Sequence, residues 1–176
     1  SDVQILFKTI LIPSISVLTA FATFYVLGWI PPVPLSIKEQ GIYHYVEKKE
    51  GIYFLSTEKE KWKFWLSGDQ EFKARLQDKI YFYVQIYSPA RFSDQIYIQW
   101  LRKDPIYGWQ KTDHIPLQIL GGRKEGFRGY AVKSNYQPGE WRVQVETSMG
   151  HEISRLNFDV TTVISDEPRN FTVLTR

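Results

Sequence analysis

Residues 121–135, GGRKEGFRGYAVKSN, set Gly121, Gly122, Gly126 and Gly129 among Arg123, Lys124, Arg128 and Lys133. Glycines let backbone N–H groups close on an anion, and basic side chains neutralise it, so the stretch raises the question of a phosphate cradle. A P-loop needs G-x-x-x-x-G-K-[ST] between a strand and a helix. Gly121 and Gly126 have that separation, but Phe127 and Arg128 stand where the Lys and Ser/Thr belong. The next residues, GYAVK, read as a strand, so no helix N-terminus faces an anion. The expectation is therefore a turn, with Gly121 and Gly122 at positive φ and Gly129 allowing close approach or a bulge. Arg123, Arg128, Tyr130 and Lys133 remain as an exposed basic patch able to bind a carboxylate, a phosphate or a partner's acidic edge.

The other chemistry-bearing residues are scattered. His44, His114 and His151 lack a ligand partner at metal spacing, and a zinc site would have to be assembled from distant strands. Asp113-His114 resembles half of a catalytic pair, but no serine sits in a nucleophile-elbow context. Glu58 and Glu60 fall in a lysine-rich stretch that reads as a solvated connection. No catalytic residues, metal ligands or cofactor are expected. Cysteine is absent, which removes disulfides, thiolate metal sites and cysteine nucleophiles. A net charge of +3 is spread without a basic block, so nucleic acid is not an expected partner. Aromatic residues make up 16% of the chain. Tyr81, Tyr83, Tyr87, Tyr97, Trp100, Tyr107 and Trp109 are candidates for a ring-bearing wet face, with Trp100 and Trp109 as contact residues for sugars or proteins.

The elements that must position these groups begin with an apolar segment. Residues 9–30 carry no formal charge and as a helix would extend about 33 Å, against a hydrocarbon thickness of about 30 Å. Tyr25 and Trp29 lie near one end, where amphipathic rings favour headgroups. Pro31, Pro32 and Pro34 stop the helix. The rival is a signal peptide ending at Ala20-Phe21-Ala22, but the apolar run continues past that site. Pro13 costs least near the helix start and would kink a helix that began earlier. Ser16, Thr19, Ala20 and Thr23 share one side, and small or hydroxyl residues there admit a second helix. The alternative is that these hydroxyls bond their own preceding carbonyls. Lys38, Lys48 and Lys49 after the span, against Lys8 before it, lean weakly to a cytoplasmic domain. Residues upstream of Ser1 could reverse that count. The expected address is the bacterial inner membrane, single-pass, with the soluble domain periplasmic.

Beyond the prolines the hydrophobic period becomes two. KIYFYVQIY sets Ile80, Phe82, Val84 and Ile86 against Tyr81, Tyr83, Gln85 and Tyr87. WRVQVET and ISRLNFDV alternate in the same way, which marks strands with one buried and one wet face. GIYHYV, GIYFLS, KWKFWL, QIYIQWL, HIPLQIL and GYAVK are further strand candidates, separated by turn signals. DQEFKARLQD is the one helical candidate, capped by Asp69. The fold class is all-β: an antiparallel, immunoglobulin-like β-sandwich preceded by one N-terminal transmembrane helix. The expected organisation is an anchor over 1–30, a Pro-rich linker over 31–41, the sandwich over 42–163 and an extended tail over 164–176.

IPPVPLS after a membrane span, then GGRKEGFRGYAVKSN, PGEWRVQVET and LNFDV, resemble bacterial membrane proteins carrying domain of unknown function 2914. The resemblance covers about residues 30–160 and is most specific in its last third. It implies a domain that closes a chain with several spans upstream, and it implies no reaction. Where that pattern favours H-x-W, this chain has Ile98-Gln99-Trp100. The function expected is a membrane-anchored, non-enzymatic interaction module, an accessory or scaffolding subunit of a bacterial membrane complex. Its partners would be the lipid bilayer and other membrane-protein subunits, met through helix, sandwich and tail. The alternative is an envelope-tethered sensor of ligands or glycans.

Overall fold

A computed structural model describes residues 7–27, 35–60, 62–87, 95–117, 126–165 and 167–176. The chain divides into two compact units, Ser1–Pro34 and Leu35–Arg176. In the first, a π-helical turn over Phe7–Leu11 runs into helix α1 (Ile12–Val26). Pro13 sits in the first turn of α1, and the wider π turn before it accommodates a residue with no N–H to give. Phe7–Val26 is apolar and long enough to cross a membrane. Ser16, Thr19 and Thr23 donate to the carbonyls of Ile12, Ile15 and Thr19 at 2.9, 2.8 and 2.8 Å. Of the two roles open to these hydroxyls, the local one is occupied.

The second unit contains β1 (Ser36–Tyr43), β2 (Tyr45–Lys49), β3 (Ile52–Thr57), β4 (Glu71–Ala74), β5 (Ile80–Tyr87) and β6 (Ile96–Asp104). They are followed by β7 (Gly108–Leu117), β8 (Phe127–Lys133), β9 (Gly139–Thr147), β10 (Glu152–Thr162) and β11 (Thr172–Thr175). They form a first sheet in the order β4-β10-β9-β6-β7, a second in the order β1-β5-β8 and a third in the order β11-β3-β2. All pairings are antiparallel except β4 with β10. The first two sheets face each other as a sandwich, so the expected all-β class holds. Ile42, Phe82, Val84 and Ile86 on one side close on Ile98, Trp100, Trp141, Val143, Phe158 and Val160 on the other.

The third sheet changes what the outer face of β5 meets. Tyr83 and Gln85, expected in water, are buried, because Tyr83 packs with Tyr43, Val46, Tyr53 and Leu55 in a second apolar cluster. His44 sits where the chain leaves the second sheet for the third, its N–H bonded to the Ser56 carbonyl at 3.0 Å. Strand β1 begins at Ser36, inside the stretch expected as linker, and the tail is no free extension. Its β11 pairs with β3, and the Arg176 guanidinium donates to both Glu39 oxygens at 2.7 and 2.6 Å.

Two local expectations are corrected. DQEFKARLQD forms β4 and a turn rather than a helix. Phe72 and Ala74 alternate with Glu71 and Lys73, and a parallel partner in β10 supplies the backbone bonds a helix would have made. In KWKFWL, residues 62–66 form a turn-rich loop rather than a strand, with Trp62, Phe64 and Trp65 exposed.

Candidate interaction surface

The glycine-arginine stretch is described from Gly126 onward, so Gly121, Gly122 and Arg123 lie outside the described residues. Gly126 has φ +88°, and a Cβ there would stand 2.4 Å from the Ile86 carbonyl oxygen. Gly129 lies against the Leu117 side chain, 2.9 Å from where its Cβ would be. Gly126 lets β8 start close against β5, and Gly129 meets the expected close approach, there to the end of β7.

Strand alternation then separates the expected basic patch. Arg128 and Tyr130 share one face of β8, while Gly129, Ala131 and Lys133 share the other. Lys133 is buried, ion-paired with Asp113 and 5.0 Å from the Trp141 ring centroid. It is therefore not part of an exposed patch. Trp100 is corrected as well: it is fully buried between Phe82 and Phe158. Trp109 lies elsewhere on the first sheet, under the Arg142 guanidinium at 4.0 Å and the Lys103 ammonium at 6.0 Å. Asp113-His114 forms no catalytic pair. Its aspartate holds Lys133, while His114 stacks on Tyr97 at 4.4 Å.

What the structure does bring together is a set of tyrosines between the second and third sheets. Tyr45 contacts Tyr81 at 5.5 Å, Tyr81 contacts Tyr130 at 6.2 Å, and Tyr130 contacts Tyr53 at 6.4 Å. Tyr45 and Tyr130 are exposed at the rim. Tyr53 donates its hydroxyl to the Arg128 carbonyl at 3.2 Å and carries the Lys48 ammonium 5.3 Å above its ring. Behind them Tyr83 is fully buried, and burial pushes its phenol up to about 12. The Tyr45–Tyr81, Tyr81–Tyr130 and Tyr130–Tyr53 pairs meet at 70°, 37° and 80°. They make a ridged surface with basic side chains beside it, rather than one flat shelf. The sequence held a signal for this set, since Tyr81 and Tyr83 alternate on β5 and Tyr45 and Tyr53 flank a turn.

A second constellation, not found by sequence reasoning, lies under the β3–β4 loop. Buried His44 stacks on Phe72 at 4.1 Å, with its Nε2 3.4 Å from a Glu58 oxygen and 3.8 Å from an Asp69 oxygen. Asp69 accepts the Thr57 hydroxyl at 2.7 Å and the Glu58 N–H at 3.2 Å. Arg169, from the stretch before β11, reaches Glu58 at 3.0 Å, Asp78 at 2.7 Å and the Lys73 carbonyl at 2.7 Å. Burial raises the Asp69 carboxyl to about 6; burial, then Arg169, lowers His44 to about 4.

These shifts have opposite signs in stability. The native state keeps the Asp69 proton from pH 3.8 to about 6 where the unfolded chain has lost it, so this group's contribution falls as pH rises through that window. The native state leaves His44 neutral from about 4 to 6.5 where the unfolded chain is protonated, so its contribution rises with pH. Each span corresponds to about 3 kcal/mol at most. Relative to the wild type, Asp69→Asn is expected to gain stability from pH 4 to 6.5, and His44→Gln to lose it. Urea midpoints measured across that range check both slopes; equal slopes in the two variants would refute the assignment.

Residues 93–160 match the model of a protein family described as a protein of unknown function (DUF2914). The match spans β6 to β9 and most of β10, within the resemblance read from the sequence. No curated protein matches the chain. Among solved structures, an immunoglobulin-like protein from Pseudomonas aeruginosa is similar at 13% identity, over 75% of this chain and 100% of that one, with a TM-score of 0.38.

Proposed function

We propose that this chain is a membrane-anchored, non-enzymatic interaction module, an accessory or scaffolding subunit of a bacterial inner-membrane complex with its β domain in the periplasm. The observation that carries the reading is the tyrosine ridge. Tyr45, Tyr81 and Tyr130 present rings in mutual contact, with Tyr81 packed on the buried cluster and Tyr130 backed by buried Tyr53, which in turn meets Tyr83. Rigid amphipathic rings with adjacent cations are what protein interfaces concentrate at their centres. Their edge-to-face tilt favours interdigitating side chains over a sugar ring stacked flat, so the protein-partner reading stands ahead of the glycan sensor. Among the described residues, Asp113 is committed to Lys133 and Arg169 to Glu58 and Asp78.

The test is a pair of exposed replacements, Tyr45→Ser with Tyr130→Ser, in the full chain expressed in its native membrane. A loss of comigration with a larger assembly on native gels, with unchanged circular dichroism, is the expected result. Retention of the assembly would move the interface off the ridge. Ser16, Thr19 and Thr23 replaced by leucine report separately on contacts made by α1.

A further inference from the structure

The loop between β3 and β4 points to a second membrane contact. Its sequence, Glu58-Lys-Glu-Lys-Trp-Lys-Phe-Trp-Leu-Ser67, interleaves lysines with aromatic residues. Trp62, Phe64 and Trp65 are 61%, 84% and 58% exposed, yet their rings touch, with centroids 5.4 and 5.3 Å apart. A cluster of three large rings turned to solvent is not a side effect of loose chain. The Lys59 N–H bonds the Thr57 hydroxyl at 3.0 Å, the Lys59 ammonium bonds the Leu66 carbonyl at 2.6 Å, and the Ser67 N–H bonds Gln70 at 2.8 Å. Two further backbone bonds, Lys63 to Glu60 and Leu66 to Lys63, close the turns. Buried Asp69 pins the base of the loop through Thr57 and Glu58. The rings are thus presented by a closed, internally bonded scaffold.

The chemistry of that tip selects its occupant. Lys59 is turned back onto a loop carbonyl, and Lys63 is held by Glu71 at 2.8 Å, 5.6 Å from the Trp62 ring centroid. Lys63 is thus ion-paired, Lys59 is bonded within the loop, and Glu58 is held by Arg169, with Glu60 and Glu71 also standing among the lysines in sequence. A surface of indole and phenyl groups interleaved with lysines matches the boundary between headgroups and acyl chains, where tryptophan and lysine stems settle. Nine residues join Val26 to Ser36, an extended reach of about 30 Å, and β1 carries the chain about 20 Å further to Ile42, beside the base of the loop. Tethering at that range holds the loop at high effective concentration near the lipid.

We propose that Trp62, Phe64 and Trp65 insert into the bilayer interface and fix the β domain against the membrane that α1 crosses. The inference rests on the anchor reading of α1. Because Glu58, Glu60 and Glu71 offset Lys59, Lys61 and Lys63 in charge, insertion is expected to be indifferent to the fraction of anionic lipid.

The chain has no cysteine, so single cysteines can carry a spin label in the full chain reconstituted into vesicles. The vesicles are phosphatidylcholine alone, or phosphatidylcholine with one-fifth phosphatidylglycerol. Labels go at Ala20→Cys in α1, Phe64→Cys in the loop, and Ile106→Cys in the exposed β6–β7 turn, across the first sheet from β4. Relaxation by oxygen, which concentrates in lipid, is compared with relaxation by a water-soluble nickel chelate. The expected result is oxygen preference at Ala20 and at Phe64, in both lipid mixtures, and nickel preference at Ile106. Adding Trp62→Ser and Trp65→Ser should return the Phe64 label to the Ile106 value. Oxygen preference at Ala20 with nickel preference at Phe64 would overturn the loop contact and leave the anchor standing. Nickel access at Ala20 would overturn the anchor, and this inference with it. A Phe64 label reached by neither reagent would mean a protein covers the loop, and would overturn the lipid occupant.

Discussion

Replacing Trp100 with alanine is expected to lower stability by about 3–5 kcal/mol, the range for deleting a large buried aromatic side chain. The indole is 0% exposed, lies 6.5 Å from Phe82 across the sandwich and 6.2 Å from Phe158 on its own sheet. Removing it opens a cavity where the two sheets meet, and close-packed neighbours recover only part of it. Since domains carry only about 5–15 kcal/mol in total, most of the margin is at stake. A binding tryptophan on a wet face would behave otherwise, leaving the urea midpoint unchanged while weakening a complex. Equilibrium unfolding of Trp100→Ala separates the two, and a midpoint equal to wild type would contradict the core assignment.

Gly68→Ala is expected to be as damaging from a much smaller change. Gly68 has φ +72°, and an added Cβ would stand 2.0 Å from the Ile42 carbonyl oxygen. That oxygen accepts the Asp69 N–H at 2.7 Å, and the Ile42 N–H donates to the Ser67 carbonyl at 3.2 Å. The methyl group cannot be accommodated by a side-chain rotation, because its obstacle is backbone. The left-handed conformation alone costs about 1–3 kcal/mol for a non-glycine residue. Relief requires parting β1 from the base of the β3–β4 loop, which frees Asp69 and loosens the seat of Trp62, Phe64 and Trp65. The measurement is again an unfolding curve, with tryptophan emission from the loop as a second readout. Gly139→Ala, also at positive φ but with nothing within 4 Å of the added carbon, serves as the control and should be affected less.

How far the sequence reached is decided by strand parity. WRVQVET and ISRLNFDV put Trp141, Val143 and Val145, and Leu156, Phe158 and Val160, where alternation placed them, in the core. The same rule contained two corrections. Trp100 has the parity of Ile96 and Ile98 and goes inward with them, whereas Tyr97 and Gln99 take the other face. Lys133 lies an odd number of residues from both Arg128 and Tyr130, so one wet patch could never hold all three. The short β4 was not legible. With only Phe72 and Ala74 facing inward, so brief an alternation cannot outweigh a helical-looking composition, and the deciding bond partner, β10, is far along the chain. Nor was the burial of Tyr83 and Gln85 legible. Alternation tells which face a residue takes and is silent on whether another sheet covers that face.

The candidate site shows the same division. Tyr45, Tyr53, Tyr81 and Tyr130 come from four strands, and only the register of β2, β3, β5 and β8 brings their rings together. The His44–Glu58–Asp69–Arg169 constellation likewise draws on segments separated by more than a hundred residues. The loop tip was the reverse case. Its lysine and aromatic alternation was in plain view, but it imitates a strand, and only the turns reveal that no sheet covers its rings.

The most direct measurement of the central claim is the native mass of the full chain after gentle solubilisation of its own membrane, with mass spectrometry of whatever travels with it. An accessory subunit predicts an assembly of defined composition and fixed stoichiometry, lost on replacing Tyr45 and Tyr130. A lone monomer or homodimer, unchanged by those replacements, would contradict it.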